Sequence, residues 1–140
     1  MKRKYLVFSS LLIILLLVVA LEVTHFGGKQ RELVYVYDES IFHEFTIDDS
    51  GYVTFRCDIT IRNRSKTEVK FYMTADVTKD IGLTKGKFAY SFEGESQNYK
   101  VYTIAPNSKQ TYPVEFTALS GDKKTKKDRL PPKEVILTSL

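Results

Sequence analysis

From Val53 to Val77 the chain reads VTFRCDITIRNRSKTEVKFYMTADV, with apolar residues at every second position on both sides of a polar break. Val53, Phe55, Cys57, Ile59 and Ile61 share one parity, and Thr54, Arg56, Asp58, Thr60 and Arg62 take the other. Successive side chains of a strand point to opposite faces, so this period of two specifies a half-buried β-strand. After the break from Asn63 to Thr67, Val69, Phe71, Met73, Ala75 and Val77 resume an inward face, with Lys70, Tyr72, Thr74 and Asp76 outward. A chain that contains two such strands must build a sheet with one wet face. The five-residue break fits a hairpin, and it fits equally a crossing from one sheet to another.

Strand and turn signals alternate along the rest of the chain. "ELVYVYD" alternates over Leu33, Tyr35 and Tyr37, and "IFHEFTI" offers Phe42 and Phe45 less regularly. Asp48-Asp49-Ser50-Gly51 is a turn, with glycine free to take positive φ. "KFAYSF" gives a strand of Phe88, Tyr90 and Phe92, "EGESQN" a turn, and "YKVYTI" a further short strand before the Ala105-Pro106-Asn107-Ser108 turn. "QTYPVEFTA" puts Tyr112, Val114, Phe116 and Ala118 on one face. Pro113 cannot donate to a ladder, which places this strand at an edge or at a bulge. "EVILTSL" closes the chain as a last strand or a frayed end. Six to eight short strands between turns indicate an all-β sandwich or barrel.

The first residues obey a different rule. Lys2, Arg3 and Lys4 precede the 18 residues Leu6 to Val23, which are interrupted only by Ser9, Ser10 and Glu22. As a helix this run is about 27 Å long, close to the hydrocarbon thickness of a bilayer. The expectation is an N-terminal signal anchor, a transmembrane helix with a cytoplasmic N-terminus, because basic residues stay inside. The alternative is a secreted domain released by cleavage near Ala20. The chain therefore divides into residues 1–28, the anchor and its Gly27-Gly28 joint, and residues 29–140, an extracytoplasmic β domain.

The formal charge of +4 is unevenly placed. Residues 120–133 hold six Lys/Arg against two Asp/Glu, and the rest of residues 29–140 is net acidic. Basic residues confined to one loop argue against a nucleic-acid domain, which needs them spread along a face with stacking aromatics. The loop residues Lys123, Lys124, Lys126, Lys127 and Arg129 are instead candidates for contact with an anionic surface. Outward Tyr52, Tyr72, Tyr99 and Tyr102 are candidate contact aromatics.

Little in the sequence points to catalysis. Cys57 is the single cysteine, cannot form an internal disulfide, and sits on the inward parity of its strand as a small hydrophobe. His25 and His43 are the only histidines. His43 and Glu44, as strand neighbours, should face opposite ways and form no ligand pair. There is no HExxH, no Gly-rich phosphate loop and no G-x-S-x-G elbow. No cofactor, metal or catalytic residue is expected, and a small hydrolase is the least favoured reading. Asn63-Arg64-Ser65 fits a glycosylation acceptor and fits equally a plain turn.

"CDITIRNRSKTEVKFYMTADV" followed by "YKVYTIAPNSKQTYPVEFTA" resembles bacterial extracellular immunoglobulin-like domains over roughly residues 52–118. The resemblance lies in an alternating strand that ends in Asn, a second strand, and a Pro-Asn-Ser turn before an aromatic-rich strand. It implies an immunoglobulin-like antiparallel β-sandwich. The antibody pattern of two cysteines around a tryptophan is absent. The expected role is a membrane-anchored accessory protein that binds an envelope protein, with a wall-polymer or carbohydrate-binding module as the alternative.

Overall fold

The computed structural model describes residues 32–79, 82–121 and 129–140. The expected N-terminal helix, with residues 1–31, and Lys123, Lys124, Lys126 and Lys127 lie outside the described residues. Among those described, no helix is long and apolar enough to cross a membrane. Residues 32–140 form one compact unit.

This unit is all-β and antiparallel. Its strands are β1 (Leu33–Tyr35), β2 (Ile41–Ile47), β3 (Tyr52–Asn63), β4 (Val69–Asp76), β5 (Thr84–Tyr90), β6 (Tyr102–Ile104), β7 (Lys109–Ser120) and β8 (Glu134–Ser139). β3 is the centre of one group. β7 runs along one side of it, and β1 and β2 share the other side in succession. β4 is the centre of the second group, with β8 on one side and β5 and β6 on the other. β5 links the groups, because Tyr90 is the register partner of both Thr74 on β4 and Thr117 on β7. At the opposite side the Tyr35 hydroxyl donates to the Pro132 carbonyl at 2.7 Å. The result is a sandwich-like arrangement around one core.

The long alternations place the core as expected. Val53, Phe55, Cys57, Ile59 and Ile61 of β3, Phe71, Met73 and Ala75 of β4, and Val114 and Phe116 of β7 are all essentially inaccessible to solvent. Phe55 packs on Phe116 at 5.5 Å between ring centroids, and Phe71 meets Tyr112 edge-on at 6.0 Å, which joins the two groups. β3 and β4 do not pair, so the Asn63–Thr67 break is a crossing and not a hairpin. Asn63 holds that crossing from inside. Its Nδ2 donates to the Thr67 and Ala105 carbonyls at 2.8 and 3.0 Å, and its Oδ1 accepts from the Ser65 N–H at 2.9 Å. With Nδ2 buried and committed twice, the side chain is unavailable as a glycan acceptor.

Other expectations hold at the turns and edges. Gly51 has φ +82°, and the Asp48 carboxylate accepts from the Tyr52 N–H at 2.9 Å. Asn107 takes the left-handed region at φ 48°, and the Ser108 hydroxyl donates to the Ala105 carbonyl at 2.7 Å. Pro113 pairs with Asp58 of β3 where β5 does not reach β7, so its missing N–H leaves no ladder bond unmade. "EVILTSL" is a true strand along β4.

Four local expectations need correction. β1 ends at Tyr35, and Tyr37 begins a 3-10 turn over Tyr37–Glu39 instead of continuing the strand. That turn explains the burial of outward-parity Thr60. Its hydroxyl donates to the Glu39 carbonyl at 2.9 Å, and its N–H donates to the Ser40 hydroxyl at 3.0 Å. β2 carries a register shift between Phe42 and Glu44. The extra residue leaves His43 and Glu44 both exposed on the outer face, where they meet different partners, Asp58 and Arg56. Finally, Phe88, Tyr90 and Phe92 share a face, but Ala89 and Ser91 are the residues turned to the core. Ala89 lies opposite Ala75 of β4, and both are fully buried.

Candidate functional site

The two outer faces differ in chemistry, and the difference follows from strand parity. On the β2–β3–β7 face many outward residues are polar and paired with one another, with Ile41 exposed among them. His43 Nε2 meets Asp58 at 2.9 Å, and Arg56 pairs with Glu44. The Thr54 and Thr117 hydroxyls are 3.1 Å apart, and those of Thr60 and Thr111 are 2.8 Å apart. Tyr52 lies on this face opposite Leu119, both exposed.

The β4–β5 face carries aromatic rings. Tyr72 projects outward from β4, and Phe88 and Tyr90 from β5. Phe92 bridges to Tyr99 at the base of a tight turn, closed by the Glu93 N–H on the Asn98 carbonyl and the Lys100 N–H on the Ser91 carbonyl. Gly94 at φ +58° and the Ser96 hydroxyl, which donates to the Glu93 carbonyl, complete that turn. The turn brings Tyr99 back over Tyr72, where the rings stack at 4.7 Å with an 11° interplanar angle. Tyr99 also touches Tyr90 at 5.9 Å and Phe92 at 5.8 Å, and Tyr90 touches Phe92 at 6.0 Å. Tyr99 is 42% exposed, and Val101 and Ile136 are exposed on the same outward parity. Tyr90, Thr74 and Ile136 form one cross-strand row. The row makes the aromatic cluster continuous with the β8 side.

Of the tyrosines expected to make contacts, the fold brings Tyr72 and Tyr99 together and leaves Tyr52 on the other face. Tyr102 is a correction: it is 6% exposed and belongs to the core. Its ring packs on Phe71 and Tyr112 at 5.9 and 5.4 Å, and its hydroxyl is hydrogen-bonded to Ser91 at 2.9 Å. Burial pushes its phenol pKa up, and the Ser91 bond partly opposes that. Parity explains the outcome, since Tyr99 and Tyr102 are three residues apart and cannot share a face of an extended chain. Sequence reasoning missed Tyr90 and Phe92 as surface residues. Their signal was the small pair Ala89 and Ser91 on the alternate parity.

Arg129 lies with its guanidinium 5.9 Å from the Phe45 ring centroid. Among the described residues no group of three or more His, Cys, Asp or Glu side chains is placed to hold a metal ion. Cys57 is fully buried. No protein-family model, curated protein or solved structure matches the chain.

Proposed function

We propose that this chain is a membrane-anchored, extracytoplasmic accessory protein. Its immunoglobulin-like domain binds an envelope protein through the aromatic face of β4 and β5. The observation that carries this reading is the cluster of Tyr72, Tyr90, Phe92 and Tyr99, gathered on one outer face by contacts between their rings. Tyrosines contribute large rigid contact area with two side-chain torsions to fix, which is why they dominate binding hot spots. The apolar run of residues 6–23 and the basic residues before it support the anchor and its orientation.

A protein partner fits this face better than a sugar polymer. A sugar platform needs open ring faces, whereas here Tyr72 and Tyr99 cover each other and the exposed margin is aliphatic Val101 and Ile136. Site-specific photo-crosslinking in the native cells tests the proposal. A crosslinker at Tyr99 should give one discrete protein adduct, and one at Thr54 on the polar face should give none. Adducts of equal yield from both positions, or wall polymer in place of protein at Tyr99, would refute it.

A further inference from the structure

Lys109 opens β7 directly opposite Arg62 of β3. Like charges facing each other on neighbouring strands repel. Further along the same pair of strands the signs are complementary, with Arg56 opposite Glu115. Arg64 adds a third cation. These residues line an open cleft of about 380 Å³ together with Asn63, Asn107 and Ser108. Lys109 Nζ lies 2.6 Å from Glu39. Arg62 and Arg64 are both exposed, and neither has a carboxylate at ion-pair distance among the described residues.

The backbone around the cleft is tied on every side. The Asn63 N–H donates to the Ser108 carbonyl at 2.8 Å, the Asn107 N–H to the Ser65 carbonyl at 3.0 Å, and the Arg64 N–H to the Glu32 carbonyl at 2.7 Å. Asn63 anchors the floor with its three side-chain hydrogen bonds. Such a cleft brings its cations together before any ligand arrives, which lowers the ordering cost of binding. Guanidinium forks match the oxygens of a phosphate in pairs, and among the described residues Arg62 and Arg64 have no carboxylate partner to displace.

We propose that this cleft binds a phosphate-bearing anion, with Arg62 and Arg64 as the principal donors and Lys109 as the third positive charge. Two sources can supply that chemistry: a lipid headgroup or a soluble phosphate compound. The Arg64–Glu32 bond puts the entry of the chain into the domain at the cleft itself. If residues 6–23 span a bilayer, its headgroup phosphates are one source of that chemistry. Only that choice of source rests on the membrane reading; the anion site does not.

The test uses the full chain in neutral detergent micelles with 15N-labelled arginine. Inorganic phosphate is titrated against chloride at equal ionic strength. The Nε–Hε signals of Arg62 and Arg64 should move saturably with phosphate, and that of Arg56 should stay fixed. R62Q with R64Q should weaken phosphate binding by at least about tenfold, since each removes a charge-assisted hydrogen bond, and should leave the remaining amide spectrum unchanged. K109Q alone should weaken binding and leave the two arginine signals responsive. Replacing Lys123, Lys124, Lys126 and Lys127 by Gln should not alter the response. Signals that move equally in chloride, or move at Arg56 as much as at Arg62, would overturn the proposal. So would loss of the response in the four-lysine variant. Micelles doped with phosphatidylglycerol or with phosphatidylcholine separate the sources. A response to the anionic lipid without added phosphate assigns the headgroup. A response to inorganic phosphate alone assigns a soluble ligand, and a response to neither overturns the site.

Discussion

Replacing Asn63 by Ala should be among the more damaging polar-to-apolar changes in the domain. Asn63 is 1% exposed and makes three hydrogen bonds, two as donor to Thr67 and Ala105 and one as acceptor from Ser65. Each is a net contribution of about 1 kcal/mol, and the Thr67 and Ala105 carbonyls and the Ser65 N–H lose that partner. The expected loss is about 3 kcal/mol. At roughly 4–6 °C per kcal/mol for a domain of this size, that is a fall of roughly 12–18 °C in midpoint temperature. Thermal and urea unfolding of the full chain, followed by circular dichroism, measures it. Asn63→Asp sharpens the test, because the introduced carboxylate would face two carbonyl oxygens. Its ionised form is repelled, so its pKa in the folded state rises above the unfolded value of about 3.9. The folded state then binds the proton more tightly. The Asp variant should be most stable below about pH 4 and should lose stability as pH rises through the raised folded pKa. At neutral pH it should be less stable than the Ala variant. A loss below about 0.5 kcal/mol for Ala, or an Asp variant no worse than Ala at pH 7, would refute the role given to Asn63 in the crossing.

Gly121→Ala should destabilise by about 1–3 kcal/mol or abolish folding, since a Cβ there would sit 2.3 Å from the Gly82 carbonyl oxygen, a backbone atom; urea midpoints report it. Cys57→Ser should cost about 1–3 kcal/mol for a hydroxyl in the core, and the wild-type thiol should react with a thiol reagent only as the domain unfolds. Tyr35, pushed up to about 12 by burial, contributes stability that is fully present below pH 10 and is lost as pH rises through about 12. Tyr35→Phe should therefore flatten the alkaline fall in urea midpoint, and an unchanged slope would show that Tyr35 is not the group responsible. Tyr99→Ser should leave the domain within about 1.5 kcal/mol of wild type, the upper value for a lost ring stack, while removing the crosslinked partner adduct from neighbouring positions of the aromatic face.

The inward faces of β3, β4 and β7 were legible residue by residue, because five or four alternating apolar positions leave only one parity that can be buried. The same local rule located the turns at Gly51 and Asn107 and the edge at Pro113, where the backbone requirement belongs to a single residue. What alternation cannot express is which strands become neighbours. Whether the Asn63–Thr67 break turned back or crossed over depended on partners for β3 and β4 that lie dozens of residues away. The aromatic face was hidden for a related reason. In Lys87–Phe92 either parity could have been the inner one, and the register that sets Ala89 opposite buried Ala75 put the small residues inside. The cleft was hidden more completely, since Arg62, Arg64 and Lys109 belong to chain segments whose overall charge is negative. Sequence composition averages charge along the chain, whereas the pairing of β3 with β7 sets Lys109 directly opposite Arg62, and only that register puts the cations in one place.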